Sequence, residues 1–599
     1  MCGVFAIASE LSLSNSDMQT IERFKLSMKH RGPDDDGMWH DKDSGIVIGH
    51  TRLAILDLTS AAKQPMTKDD VVLSYNGEIY NYKDIRAELQ QIGYTFTSTG
   101  DTEVVLNSWI EWGDKAFEKF DGMFSVVIYD KGVLTLATDR FGEKTLYYST
   151  VNNSIYISSE LSTLTTELNL ESSTNTKLDT LFMLNGYIPG PETFYNNTYR
   201  VLPAQIIKIQ NAKIVEDTFY WRLPELKKNK LLKRKLSNSD LSLFKDILIK
   251  SIENRLSSDV PMCLFLSAGV DSSLIAAIIK KELNYDIDCI TVSFGDSAYD
   301  ESSQAKDVAD YLNLNHETLH VDFHQKNNLS DLMLQKYGQP FATTTMIAYS
   351  LMTKAVREKY KVGLTGFGGD EIFFGYGKHS YAYKYGKIID LNRGVKSYLA
   401  KLANSDYIYN NKRVRNWVNN QLNVKDSEKY TALKLFPYIS KLRKLPFYNE
   451  AIEESHSNIS DIAKYTYMYE LTNDMPNSKC ISLDLGSMSS GFELRTPFLN
   501  KDIVEEISNH DYRSFIAYGQ KSVLRRLLKQ YLPDNLVDRP KRGFVFPSKW
   551  IVDAENSDKT LSIGSDFNYF INNRHQDNNM EKLALRATLL NKYRSSTSS

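Results

Sequence analysis

Cysteine is scarce in this chain: four among 599 residues, at Cys2, Cys263, Cys289 and Cys480. Their spacing offers no CxxC pair, zinc ligand set or disulfide framework. Long apolar runs are also missing. Stretches such as "GVLTLA" and "VPMCLFL" have the length of a core strand and fall far short of a membrane span. No basic and then apolar leader opens the sequence, and no internal repeat is visible. An excess of one charge is lacking as well, since 72 Lys and Arg against 74 Asp and Glu leave a net charge of −2. That balance argues against a nucleic-acid or acidic-lipid partner held by bulk charge. The expectation is a reduced, cytoplasmic protein with small-molecule partners, no nucleic acid and no membrane.

The texture of the chain divides it. Residues 1–220 alternate short β-branched and aromatic runs with turn residues, as in "GVFAIAS", "VVLSYNGEIYN" and "MFSVVIYD". Helical periodicity intervenes near 16–29 and 102–119, so an α+β arrangement of packed antiparallel sheets is expected. A lysine-rich stretch, 221–238, reads as a solvated linker. From 239 to 555 helix and strand alternate and predict a parallel sheet, helical beyond about 376. Ligands of such sheets gather at the carboxyl ends of strands. Residues 556–599 read as a polar tail of unknown role.

"LFLSAGVDSSLIAA" carries the strongest local chemistry. A buried strand ends at Leu266, Ser267-Ala268-Gly269 turns, and Ser272 and Ser273 open an amphipathic helix. Small residues let backbone N–H groups approach a phosphate, and a helix N-terminus adds a favourable dipole. Asp271 cannot bind phosphate itself but can hold a Mg²⁺ ion that bridges phosphates. The same letters can also simply cap a helix. "KVGLTGF" followed by "GGDEIFFGY" repeats the pattern of strand, glycine loop and acid, which would place Asp271 and Asp370 around one divalent ion. Glu371 can be an ordinary first-turn helix charge.

With "MCGVFAI", "HRGPDDDG", "RLAILD", "YNGEIYN", "GDTEVVL", "DRFGEKTLYYS", "LSAGVDSS", "GGDEIFFGY", "MSSGFELRTPFLN", "KSVLRRLL" and "RPKRGFVFP" in order along 1–555, the chain resembles the glutamine-hydrolysing asparagine synthetases. The resemblance implies an N-terminal-nucleophile glutaminase domain, an αββα sandwich. An α/β parallel-sheet PP-loop ATP pyrophosphatase domain with a helical C-terminal part follows. It also admits a homodimer.

The resemblance gives Cys2 a role: removal of Met1 frees an α-amine that serves as local base for the thiol. The thiolate attacks the glutamine side-chain amide and ammonia leaves. Asn76 and the Gly77 N–H are the implied oxyanion donors, although Asn-Gly is also the strongest hairpin-turn dipeptide. Glutamine binding falls by resemblance on Arg52, Leu53, Ile55, Leu56, Asn76, Gly77, Glu78 and Asp101. Arg52 would clamp the carboxylate, and Glu78 and Asp101 the ammonium. Any one of these charges could equally be a surface ion pair. The "HRGPDDDG" stretch is expected to be a loop near this site, with His30 outside the catalytic set.

In the second domain, ATP would adenylate an acceptor carboxylate, releasing pyrophosphate, and channelled ammonia would attack the acyl-adenylate. The implied ATP contacts are Leu266, Ser267, Ala268, Gly269, Asp271, Ser272, Phe294, Thr365 and Gly366. The implied Mg²⁺ ligands are Asp271 and Asp370, and Lys521 is the implied catalytic cation. Lys521 read without the resemblance is an exposed helix lysine. The chain departs from the family at Phe367, where an acid is usual, and more mildly at Ala268, Thr145, Phe374 and Leu485. Aspartate is the first-choice acceptor. Phe367 keeps a second reading open, the same chemistry on another carboxylate such as a sugar acid of a surface polysaccharide. A non-synthesising nucleotide-binding regulator is a third.

Overall fold

The computed structural model describes residues 2–228, 235–293, 300–321, 329–390, 425–435, 438–455, 461–539, 551–552 and 565–597. The first half contributes β1 (Gly3–Ser9), β2 (Asp35–Asp41), β3 (Ile46–Arg52), β4 (Met66–Lys68), β5 (Val71–Ile79) and β6 (Gly122–Asp130). They are followed by β7 (Val133–Thr138), β8 (Tyr147–Val151), β9 (Ser154–Ser158), β10 (Thr198–Arg200), β11 (Gln205–Gln210) and β12 (Lys213–Phe219). These form two six-stranded sheets, ordered β10-β8-β9-β1-β3-β2 and β12-β11-β7-β6-β5-β4.

The alternation within β1 shows why the sheets stack. Val4, Ala6 and Ala8 point at the second sheet and meet Val72, Val127, Leu134 and Leu136. Phe5 and Ile7 point the other way, onto Ile21, Phe24 and Met28 at the helix Asn15–Ser27. Successive strand side chains face opposite sides, so a strand apolar throughout must be covered on both. On the outer face of the second sheet, Leu73, Phe124, Val126 and Ile128 pack against Ile85, Leu89, Val104 and Val105 of the helices Tyr82–Gln91 and Thr102–Trp112. The result is the expected αββα sandwich. Tyr82–Gln91 is a helix the periodicity did not single out, and the expected 102–119 helix breaks at Gly113 into two pieces.

The second half is built on a five-stranded sheet of β13 (Met262–Phe265), β14 (Asp288–Ser293), β15 (His316–His320), β16 (Val362–Leu364) and β17 (Glu493–Arg495), in the order β15-β14-β13-β16-β17. Every pairing is parallel. Leu264 of β13 faces a core with Leu274 and Ile278 of the helix Val270–Lys281, while Cys263 and Phe265 face Met352, Val356 and Leu483.

The C-terminal stretch is not the uninformative polar tail that composition suggested. The helix Asn578–Thr597 buries Met580, Leu583, Leu585, Leu589 and Leu590 in the core shared with Phe182 and Phe194 of the first half. Its Arg586 donates to the carbonyls of Met183 and Leu184 at 2.7 and 2.9 Å, satisfying the end of the helix Thr176–Asn185. Polar letters hide this burial, although residues 583–590 are all buried, Arg586 and Thr588 among them. Among the described residues no helix is long and apolar enough to cross a membrane.

Candidate active sites

The first site begins at the start of β1. The Cys2 N–H donates to Asn76 Oδ1 at 2.8 Å, and the Cys2 carbonyl accepts from Arg31 Nε at 3.0 Å. Asn76 and Gly77 lie in the middle of β5, with Gly77 opposite Phe124 of β6, so the hairpin-turn alternative is excluded. Gly77 is required for space: its φ is +153° and a Cβ there would stand 2.1 Å from the Met123 carbonyl oxygen. The buried Asn76 Nδ2 has no hydrogen-bond partner among the described residues. A buried amide donor left over is costly in a structural role and suits a group that stabilises a transient oxyanion.

Burial pushes the Cys2 thiol up, and the chain's amino terminus, the Leu53 N–H and Arg52 pull it back. A protonated thiol needs a base at the moment of attack, and the Cys2 nitrogen is the nearest candidate once it is a free amine. His50 sits in the same layer, with Nδ1 3.0 Å from Ser74 Oγ, but burial and then Arg52 hold its pKa near 3. It is a neutral spacer.

Arg52 is pinned by the carbonyls of Asp57 and Thr59, the latter at 3.0 Å. Those bonds aim the guanidinium beside Cys2. Leu53 and Ile55 are buried in the second half's core cluster, and Leu56 packs against the outer face of the second sheet. Asp101 accepts from Tyr75 OH at 2.7 Å and from the Ile79 N–H at 2.9 Å. Burial pushes both Asp101 and Glu78 up, and for Glu78 the charges of Asp101 and Glu493 push further while Arg495 pulls down. Together they form a buried acidic pair suited to an ammonium.

The second site lies where β13 and β16 end. Ser267 N–H donates to Ser272 Oγ at 3.0 Å, and Gly269 N–H to Ser267 Oγ at 3.1 Å, which folds the turn into the helix Val270–Lys281. Ala268 has no positive φ, so it takes the place of glycine without strain. Leu266 is buried behind the turn. Thr365 N–H donates to the Arg495 carbonyl at 3.0 Å. The following loop closes on Asp271: a Cβ on Gly366 would stand 2.9 Å from Asp271 Cβ, and one on Gly369 2.5 Å from its Cγ. Phe294 lies outside the described residues, as does most of "RPKRGFVFP".

Asp271 and Asp370 meet at Lys521. Its ammonium pairs with Asp271 and lies 2.8 Å from Asp370 Oδ1. Burial works against that charge, but Asp271 and Asp370 hold its pKa above the ordinary lysine value. Lys521 is therefore buried between two acids and is not an exposed helix lysine. Two carboxylates converging on one cation fit a Mg²⁺ ion brought in on nucleotide phosphates, which needs only one or two protein carboxylates. Among the described residues no cluster of three or more ligating side chains marks a dedicated metal centre.

Glu371 is no ordinary surface charge of a helix turn. It is buried, accepts from Tyr376 OH, and pairs with Lys479 at 2.9 Å. Phe367 packs against both cores that flank the parallel sheet. Phe374 stacks on Tyr467 at 4.2 Å with φ of +55°, a left-handed backbone that costs a phenylalanine about 1–2 kcal/mol and glycine nothing, so this departure is less mild than it looked.

Residues that sequence reasoning missed join the halves. Arg31, in "HRGPDDDG", also holds Glu160 and Asp484, each at 2.9 Å, and Lys144 reaches Asp484 at 3.1 Å. Thr496 donates to Glu143, whose other oxygen Oε1 is buried without a partner among the described residues. Burial and then Asp139 push the Glu143 pKa up to about 8. His30, left out of the catalytic set, bonds Ser27 O and Glu160. The only signal for Arg31 was its position in a motif; Asp484 had none.

Comparison with known proteins shows the family. Residues 1–221 match the model of the glutamine amidotransferase domain, and residues 243–564 that of asparagine synthase. The chain is 27% identical over 577 residues to asparagine synthetase [glutamine-hydrolyzing] 1 of Bacillus subtilis, covering 93% of this chain and 89% of that one. It is 31% identical over 395 residues to the putative asparagine synthetase [glutamine-hydrolyzing] 2 of Methanocaldococcus jannaschii, covering 61% and 74%. Amidase chry2 of Gibberella zeae is 26% identical over 63% of this chain and 59% of its own length. The chain belongs to the asparagine synthase family, as a ligase of the glutamine-hydrolysing asparagine synthetase type with an N-terminal glutamine amidotransferase domain.

Proposed function

We propose that the protein hydrolyses glutamine at Cys2 and uses the ammonia to amidate a carboxylate activated by ATP, with aspartate converted to asparagine as the first choice. Removal of Met1 leaves the Cys2 nitrogen as a free amine that takes the thiol proton. Sulfur attacks the amide carbon, and the oxyanion is held by Asn76 Nδ2 and the Gly77 N–H. Ammonia leaves with the proton, and water cleaves the thioester to glutamate. Arg52 would hold the substrate carboxylate, and Glu78 with Asp101 its ammonium.

In the second half an acceptor carboxylate oxygen would attack the α-phosphorus of ATP, and pyrophosphate would leave. Ammonia would then displace AMP and lose one proton. Asp271 and Asp370 would hold Mg²⁺, which supplies charge neutralisation to the leaving phosphates. Lys521, held beside the same two acids, would supply positive charge to the phosphates. The turn Ser267–Gly269 would bring the start of the helix Val270–Lys281 to them, and Thr365 and Gly366 would close the nucleotide side.

The observation that carries the proposal is the meeting of Asp271 and Asp370, from separate strand ends, at one buried Lys521. A second acceptor is favoured by Phe367, which supplies no carboxylate where the family has one, so a sugar acid or another carboxylate is the alternative. A relative named as an amidase, at 26% identity, supports keeping it. The test is incubation with glutamine, ATP and Mg²⁺ plus aspartate or a panel of uronic acids, measuring AMP, pyrophosphate and amide. Pyrophosphate with aspartate supports the first choice, and pyrophosphate only with another acid supports the second. Glutamate release without pyrophosphate under any condition would favour a nucleotide-binding regulator. A working place in the cytoplasm fits four free, buried cysteines.

A further inference from the structure

The two sites share one residue to which the sequence reading gave no role, Arg495 in "MSSGFELRTPFLN". Arg495 is wholly buried and its guanidinium faces three ways. Nε donates to Glu493 at 2.6 Å. Nη1 donates to the carbonyls of Arg255 and Ser257, at 2.8 and 2.6 Å, at the end of the helix Asn238–Arg255. Nη2 stands 3.4 Å from Glu78 of the first half. Its main chain faces the other site: in β17 Arg495 lies opposite Leu364 of β16, and its carbonyl takes the N–H of Thr365.

We propose that Arg495 is a positioning residue that ties occupancy of the glutamine site to the shape of the nucleotide loop. The inference rests on the reading above that glutamine and ATP occupy these two sites. Glu78 touches Arg495 at one end of the link, and Thr365 hangs from the same residue at the other. No intervening side chain is needed.

The direction follows from charge. Glu78, Asp101 and Glu493 lie within one another's fields, and repulsion with burial favours the neutral acid at Glu78. A neutral carboxyl holds a guanidinium weakly. An ammonium set against Glu78 and Asp101 favours the ionised form, which draws Arg495 more strongly and fixes the guanidinium among Glu78, Glu493 and the two carbonyls. A guanidinium so held fixes the register of β17 against β16, and with it the Thr365 N–H. Glutamine therefore tightens ATP binding, and by linkage ATP tightens glutamine binding by the same factor.

The test uses the full chain with Met1 removed. Cys2 is labelled with 6-diazo-5-oxo-L-norleucine, which carries the ammonium and carboxylate of glutamine, and Mg²⁺-ATP binding is measured by calorimetry with and without label. The labelled wild type should bind ATP about fivefold or more tightly than the unlabelled one. Arg495→Lys, a point charge that cannot span Glu493, Glu78 and two carbonyls at once, should bring that ratio close to unity. A ratio of one in the wild type, or an undiminished ratio in R495K, overturns the proposal. Should R495K not fold, amide exchange in the wild type decides: the Thr365 N–H should exchange more slowly after labelling, and an unchanged rate overturns the link. Failure to take up label, or to bind ATP at all, sinks the functional reading and this inference together. Labelling and ATP binding without coupling sink this inference alone.

Discussion

The two sites differ in the charge they hold ready. Around Cys2, the acids Glu78 and Asp101 are buried and pushed toward neutrality. Around Asp271, two acids share a buried lysine. The first arrangement gains from an incoming cation, such as the ammonium of an amino acid. The second already holds a cation between its acids and, in the function proposed above, would gain from a metal with its phosphates. The difference teaches that burial without a shared cation pushes acids toward neutrality, whereas two acids around one lysine hold its charge.

The comparison is broken most completely by Cys2→Ala. Glutamate release should fall by about a thousandfold or more, the scale of losing a covalent nucleophile. Pyrophosphate release supported by ammonium salts should persist; its loss too would mean that the two chemistries are not separable. Lys521→Ala should do the reverse, lowering acceptor-dependent pyrophosphate release by about a hundredfold or more while glutamate release continues. Asn76→Ala should lower kcat for glutamine by about a hundredfold to a thousandfold with little change in KM, since the donor acts on the oxyanion. A change confined to KM would move Asn76 from oxyanion donor to substrate contact.

The smallest effect sharpens the boundary between the halves. Glu143 rises from an ordinary 4.5 to about 8 in the fold. Between those values the folded state keeps a proton that the unfolded chain has released. Its stabilising contribution is full below about 4.5 and declines as pH rises toward 8. Urea midpoints of the wild type should therefore fall over that window relative to Glu143→Gln and then run parallel to it. Parallel curves throughout would show that Glu143 titrates normally.

Much of this was legible in sequence because local chemistry was dense. The strand-turn-helix of "LFLSAGVDSSLIAA" needed only its own neighbours, and β1 declared its burial by being apolar on both faces. Asn76-Gly77 was ambiguous for the opposite reason: as a dipeptide it favours a turn, and only the pairing of β5 with β6 holds it extended, with no room for a Cβ. The last helix was misread because its apolar residues are interspersed with charged ones that find distant partners in the fold. Arg586 shows the cost of that reading, since its partners lie four hundred residues away.

By itself the sequence determined the two domain types and set Cys2, Asp271 and Asp370 apart as candidates, because each is written in contiguous residues whose backbone preferences and chemistry act locally. Only the tertiary structure decided that Lys521 lies between Asp271 and Asp370, that Arg31 and Asp484 bind across the halves, and that Arg495 touches Glu78 while carrying Thr365. Those are meetings of buried charges from distant parts of the chain. Charge attraction carries no sequence range, and folding alone brings such groups out of water and into reach of one another.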